Sequence, residues 1–233
     1  MGYFRPMIKG LADSLRRKEI SLLAVIILFA AAVRVPVMLR NPMPAGDGIA
    51  SNVEVAVNIL QGNGFSTMRK WTLYDASMDG LRPEGNRQPA VALLLAALFS
   101  LTGPSFVSAQ LFSLLAGLFC LFMCWLWARR VFGKLPALFT LLILSVSPLF
   151  VWYSTQPDSL LLFTGVFFAV LTVADRGKMD FGRAAVLGLM CALAYLVRTQ
   201  GLILAFSIGV WILVKGGKKR IVKLLVFSAV FLV

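Results

Sequence analysis

Three positions in this chain carry side chains able to do chemistry in settings that make them unusual: Asp47, Asp158 and Arg198. Asp47 heads the polar stretch 46–66, GDGIASNVEVAVNILQGNGFS, and a carboxylate there could accept a proton from a reacting group. Asp158 follows Pro157 and precedes an apolar run, so it is either a second reactive carboxylate or the cap of the next helix. Arg198 stands between two apolar runs with no polar loop to hydrate it, where an uncompensated charge costs about 2.5–3.5 kcal/mol. It needs an anion, and either a neighbouring carboxylate or a phosphate would serve. Arg34 and Arg87 add guanidinium groups of the kind that grip phosphate through paired hydrogen bonds. Snorkelling of Arg34 to the lipid headgroups is the competing account. For Arg87, as for Lys70 and Arg82, which could also reach a phosphate, the competing account is a solvated loop position paired with Asp75, Asp79 or Glu84.

Two local patterns bear on Asp47. The apolar positions Ile49, Val53, Ala56, Val57 and Leu60 fall on one helical stripe, which predicts an amphipathic helix with a lipid-facing side and Asp47 as its cap. Ser51 and Glu54 also fit a capping box, which would make Ser51 the cap and release Asp47 for chemistry.

The elements that must position these residues are membrane helices. The chain has 233 residues, 59% of them hydrophobic and 14% charged, a balance that suits lipid as the solvent. Apolar runs fall at 20–39, 104–128, 135–153, 159–174, 184–197, 201–214 and from 224 onward, with a shorter run at 89–101. The last run is too short to span, so the chain reads as the front part of a longer one. The run from residue 20 is long and lacks a small-residue cleavage pattern, which makes it a first transmembrane helix rather than a cleaved signal.

A formal charge of +13 would suggest nucleic acid in a soluble protein, but placement excludes that reading. Sixteen of the 23 Lys and Arg cluster in the N-terminus, around 129–134, in 176–183 and in 215–223, segments that the positive-inside rule assigns to the cytoplasm. Parity then constrains the path. Residues 40–103 form an outer loop, and one of the runs 89–101 and 104–128 cannot cross. The 13-residue run 89–101 has the length of a re-entrant or interfacial segment, so it is placed in the outer leaflet. Asp47, Asp158 and Arg198 thereby converge on the outer face.

Ala109/Ser113/Gly117 and Ala184/Gly188/Ala192 are small residues at four-residue spacing, the signature of close helix packing. Cys120, Cys124 and Cys191 lie in apolar runs, and with no histidine in the chain they read as packing residues rather than metal ligands. Gly62 and Gly64 form only a lone GxG at a helix exit, which does not support a dinucleotide site.

Taken in order, several short segments resemble the GT-C glycosyltransferases that use polyprenyl-phosphate sugars, including protein O-mannosyltransferase-like and aminoarabinose transferase-like members. They are Arg34, Asp47, Asn58-Ile59-Leu60-Gln61-Gly62-Asn63-Gly64-Phe65, Arg87-Gln88-Pro89, Arg129-Arg130-Val131-Phe132-Gly133, Ser147-Pro148, Tyr153-Ser154 leading to Asp158, and Leu196-Val197-Arg198. The resemblance implies an all-α polytopic bundle of about seven transmembrane helices, forming one module over 1–233. Its parts are a cytoplasmic N-terminus (1–19), an outer loop with juxtamembrane and re-entrant helices (40–103) and the bundle proper (104–233).

It further implies inverting sugar transfer from a polyprenyl-phosphate donor to an acceptor on protein, lipid or glycan, at the outer face of a bacterial or archaeal cytoplasmic membrane. Asp47 is then the general base, Asp158 a second catalytic carboxylate, and Arg198, Arg34 and Arg87 the donor phosphate ligands. No cofactor is implied, and no metal set is evident. The alternatives are a noncatalytic scaffold of the same fold working with a membrane partner, and, ranked last for want of an internal repeat, a transporter.

Overall fold

The computed structural model describes the backbone of residues 4–41, 43–44, 47–68 and 80–232, and the side chains of 19–41, 43–44, 49–68 and 80–232. Lys70, Asp75 and Asp79 lie outside the described residues. The elements are α1 (Phe4–Arg40), α2 (Asp47–Leu60), β1 (Ser66–Thr67), β2 (Arg82–Pro83), α3 (Pro89–Thr102), α4 (Phe106–Val131), α5 (Lys134–Val146), α6 (Pro148–Tyr153), α7 (Leu160–Ala174), α8 (Phe181–Val197), α9 (Gly201–Lys215) and α10 (Arg220–Leu232). The fold is all-α, with one short antiparallel pairing of β1 and β2 in the outer segment.

Helix ends follow local chemistry. Ser105 caps α4 by accepting from the Ser108 amide (3.1 Å), and Asp180 caps α8 through the Arg183 amide (2.7 Å). At the exit of α2 the Asn63 amide bonds to the Asn58 carbonyl (2.9 Å) and the Gly62 amide to the Ile59 carbonyl (3.2 Å). That is a Schellman closure, and it requires the left-handed φ of 79° that Gly62 adopts. The run 135–153, expected as one helix, is two. Pro148 cannot donate to the ladder, so the chain breaks at Ser147 and restarts as α6 with proline in its first turn.

Three apolar clusters hold the bundle together. Ala30 of α1 meets Leu121 and Trp125 of α4 and Leu141 of α5. Ala56 of α2 meets Val91, Leu95 and Phe99 of α3, with Ala109 of α4 and Val197 of α8 beside them. Leu187 and Cys191 of α8 pack with Val170 of α7, Leu204, Ile208 and Ile212 of α9, and Phe227 of α10. The stripe on α2 is therefore not lipid-facing as expected: Val53, Ala56 and Val57 pack into the cluster built on the apolar face of α3. Large apolar side chains stand exposed along α1, α5 and α9, among them Leu28, Phe139 and Phe206, as suits helices whose outer faces meet lipid.

Among the described residues two helices, Glu19–Arg40 within α1 and Phe106–Val131, are long and apolar enough to cross a bilayer. α5, α7, α8 and α9 have 13, 15, 17 and 15 residues, so a count of about seven crossings is not reached by length alone.

Both small-residue faces are contacts. A Cβ on Gly188 would press on the Phe227 carbonyl, and one on Gly117 would collide with the Ser154 side chain. Gly117→Val is therefore expected to destabilise the bundle by about 1–3 kcal/mol, seen as a lowered thermal midpoint in detergent. An unchanged midpoint would show that α4 and the turn after α6 separate freely.

Candidate functional site

The site is built on the turn between α6 and α7. Ser154, Thr155 and Gln156 are fully buried although they join two apolar helices, because the turn folds inward rather than out to solvent. Arg34 holds one end of it. Its Nε donates to Ser154 Oγ (2.6 Å), its Nη1 donates to the carbonyls of Ala30 (2.6 Å) and Ser145 (3.1 Å), and the guanidinium lies over the Phe150 ring at 5.7 Å. Arg34 is 0% exposed and does not snorkel to headgroups: Ser154 and the carbonyls of Ala30 and Ser145 enclose it inside the bundle. Its Nη2 has no hydrogen-bond partner among the described residues.

Arg198 meets the other end of the turn. It closes α8 with an extended backbone, and Gly201 starts α9 so close to the backbone of Ala194 and Tyr195 that no side chain would fit there. This tight reversal is why Arg198 has no loop of its own. Its Nη1 donates to Ser159 Oγ (2.9 Å) and faces Asp158 Oδ1 at 3.5 Å, while its Nε donates to Gln200 Oε1 (3.0 Å). Asp158 Oδ1 also accepts the Leu160 amide (2.7 Å) at the head of α7. Asp158 thus both caps a helix and partners the arginine, a geometry suited to orienting Arg198.

Arg198 lines a cleft of about 180 Å³ together with Arg87, Asn52, Gln88, Ser159 and Gln200. α2 is tied to its rim by Asn52 Nδ2, which donates to the Pro157 carbonyl (3.0 Å). Asp47 precedes Asn52 by five residues on the same helix, roughly 7.5 Å along its axis at the usual rise. Its side chain lies outside the described residues. The capping box expected at Ser51 does not form, since α2 begins four residues earlier at Asp47. Ser51 Oγ instead donates to Glu84 (3.3 Å), and Glu54 accepts from the Met68 amide (2.6 Å) and Thr67 Oγ1 (3.2 Å), fastening α2 to the β1/β2 segment. Tertiary partners outcompeted the local pattern.

The structure therefore gathers Arg87, Asp158 and Arg198 and sets Arg34 apart, behind the turn. Asn52, Ser159 and Gln200 were not singled out from sequence as site residues. Polar side chains at the ends of apolar runs were the available signal.

A second cavity, about 630 Å³ and almost wholly apolar, runs between α7 and α9 with Trp127 and Val131 of α4 alongside. Phe163, Phe167, Ile203 and Trp211 contribute to its walls. Gln200 lines both cavities, so the polar cleft meets the apolar groove at that residue. Among the described residues no group of three His, Cys, Asp or Glu is placed to hold a metal ion.

The chain belongs to the dolichyl-phosphate-mannose-protein mannosyltransferase family, whose sequence profile matches residues 83–233. That stretch contains Arg87, Asp158 and Arg198 and leaves Arg34 and Asp47 upstream. Among solved structures the chain is similar to ArnT from Cupriavidus metallidurans bound to undecaprenyl phosphate, at a TM-score of 0.66 and 20% identity over 90% of this chain and 40% of that one. It is also similar to ArnT from the same organism in the apo state, at 0.59 and 17% over 95% and 42%. At these identities the likeness is one of fold, and the chain spans about two fifths of the length of either structure. No curated protein matches it.

Proposed function

We propose that this chain is the membrane part of an inverting glycosyltransferase that takes a sugar from a polyprenyl-phosphate donor at the outer face of a cytoplasmic membrane. The observation that carries this reading is the meeting, at Gln200, of a two-arginine cleft with an apolar groove. A polyprenyl phosphate has the same two parts: an anion for Arg198 and Arg87, and a long apolar tail for the groove between α7 and α9.

In the reaction the acceptor hydroxyl gives its proton to the Asp47 carboxylate, and its oxygen attacks the anomeric carbon from the face opposite the phosphate. The bond from that carbon to the phosphate oxygen breaks, and polyprenyl phosphate leaves as an anion. Arg198 and Arg87 stabilise the charge that grows on the departing oxygen. Asp158 and Ser159 keep the Arg198 guanidinium turned into the cleft, and Arg34 anchors the far end of the same turn through Ser154.

Membership in a mannosyltransferase family and the fold of ArnT support the reaction class. The test is binding to the purified chain in nanodiscs of a polyprenyl phosphate beside the neutral polyprenol of equal length. The phosphate is expected to bind at least about tenfold tighter, the least that one charge-assisted hydrogen bond supplies. Equal binding of the two would leave only an apolar groove and overturn the reading.

A further inference from the structure

At the opposite ends of α7 and α9 a separate cavity of about 570 Å³ opens between the segment after α7 and the turn after α9. Lys178 comes from the first segment, Lys215 and Lys218 from around the second, and Lys223 from α10. Asp175 is the one acidic residue among the lining residues. Each segment is held by contacts of its own. Lys223 Nζ donates to the Gly216 carbonyl (2.6 Å), Arg183 Nη1 donates to the Lys178 carbonyl (2.6 Å), and Lys215 Nζ lies 5.5 Å from the Trp211 ring centroid. Ala174, Met179 and Trp211 give the cavity apolar wall, and Ala174, Asp175 and Trp211 also line the inner end of the groove between α7 and α9.

Four ammonium groups around a cavity that continues into an apolar groove call for a ligand with an anionic head and an apolar tail. A free anion would leave the apolar wall unused, and a neutral lipid would leave four positive charges with only Asp175 among the lining residues to offset them. We propose that this cavity binds an anionic phospholipid of the cytoplasmic leaflet, its phosphate among Lys178, Lys215, Lys218 and Lys223 and its acyl chain against Trp211. Its anion site is distinct from that proposed for the donor phosphate, because it lies at the other end of the groove from Arg87 and Arg198, and the two share only the apolar wall at Trp211 and its neighbours.

The lysines of these segments also include ordinary positive-inside charges, and the design of the test separates the two roles. Arg176 and Lys219 sit in the same segments but do not line the cavity. The delipidated chain is titrated with phosphatidylglycerol and with phosphatidylcholine, and retained lipid is counted by native mass spectrometry. The parent should prefer phosphatidylglycerol. K178Q/K218Q should weaken that lipid by about thirtyfold, as two lost lysine contacts imply, whereas R176Q/K219Q should weaken it less than threefold.

Equal losses in the two double variants would reveal diffuse surface charge and overturn the site, as would equal binding of the two lipids by the parent. Complete displacement of phosphatidylglycerol by millimolar inorganic phosphate would show that the acyl chain contributes nothing, which also overturns it. If K178Q/K218Q fails to assemble, as judged by circular dichroism, K218Q alone should give about a fivefold loss against K219Q as its control, and no difference between those two would count against the proposal.

Discussion

Arg198→Gln is expected to weaken binding of a polyprenyl phosphate by about ten- to a hundredfold, since hydrogen bonds to a charged group contribute about 1.5–3 kcal/mol. Glutamine keeps a polar, shorter side chain at the position, and the reversal between α8 and α9 should survive. That reversal depends on Gly201 and the backbone of Ala194 and Tyr195 rather than on the guanidinium. The pair with Asp158 is 3.5 Å long and the arginine side chain is 32% exposed, so little stability should be lost with it.

Arg198→Lys should recover part of the affinity, because an ammonium restores the charge without the planar fork that engages two phosphate oxygens at once. Titration of the parent and both variants with the same lipid, alongside their thermal midpoints, decides the matter. Unaltered affinity in Arg198→Gln would mean that the cleft does not receive the phosphate. A collapse of the thermal midpoint would instead assign Arg198 to the fold.

The sequence announced Arg198 because an arginine without a polar loop between two apolar runs has no solvated place to go. The structure answers with Asp158 and Ser159 on one side and an open cleft on the other. Its need for an anion was legible, as was the helix exit at Gly62, where a left-handed residue closes a Schellman turn. Other features were not legible, and for a common reason: they depend on partners far away in the chain.

Ser51 and Glu54 match a capping box locally, yet Glu84 and the Met68 amide claim their side chains, so α2 starts at Asp47 instead. The apolar face of α2 reads equally well as facing lipid or protein until α3 is folded against it. Arg34 is the clearest case. Nothing near it in sequence foretells full burial, because the group that receives its Nε proton is Ser154, 120 positions later, on a turn whose inward course only the packed bundle defines.

Asp47→Asn is expected to reduce sugar transfer by about a hundred- to ten-thousandfold, the usual contribution of a positioned general base, with donor affinity unchanged. The choice of asparagine separates the two roles open to this residue. Asn is as good as Asp at a helix N-terminus, so a side chain that only starts α2 could be replaced at little cost. Loss of the favourable interaction between a negative charge and the helix dipole would account for at most about 1 kcal/mol of stability and none of a large rate effect.

Asp47→Ser sharpens the comparison, since serine also caps but cannot hold the acceptor's proton at neutral pH. Asp47→Ala removes both functions and should lower the thermal midpoint as well as the rate. If Asp47 is the base, the Asn and Ser variants are inactive and fold like the parent. If it is a cap alone, both are active and only the Ala variant suffers. Transfer measured in membranes from cells carrying each variant, with polyprenyl-phosphate binding as the parallel readout, distinguishes these outcomes. Near-normal turnover in Asp47→Asn would move the search for a base to the rest of the outer segment, starting with Glu54 and Glu84, the carboxylates that fasten α2 to its neighbours.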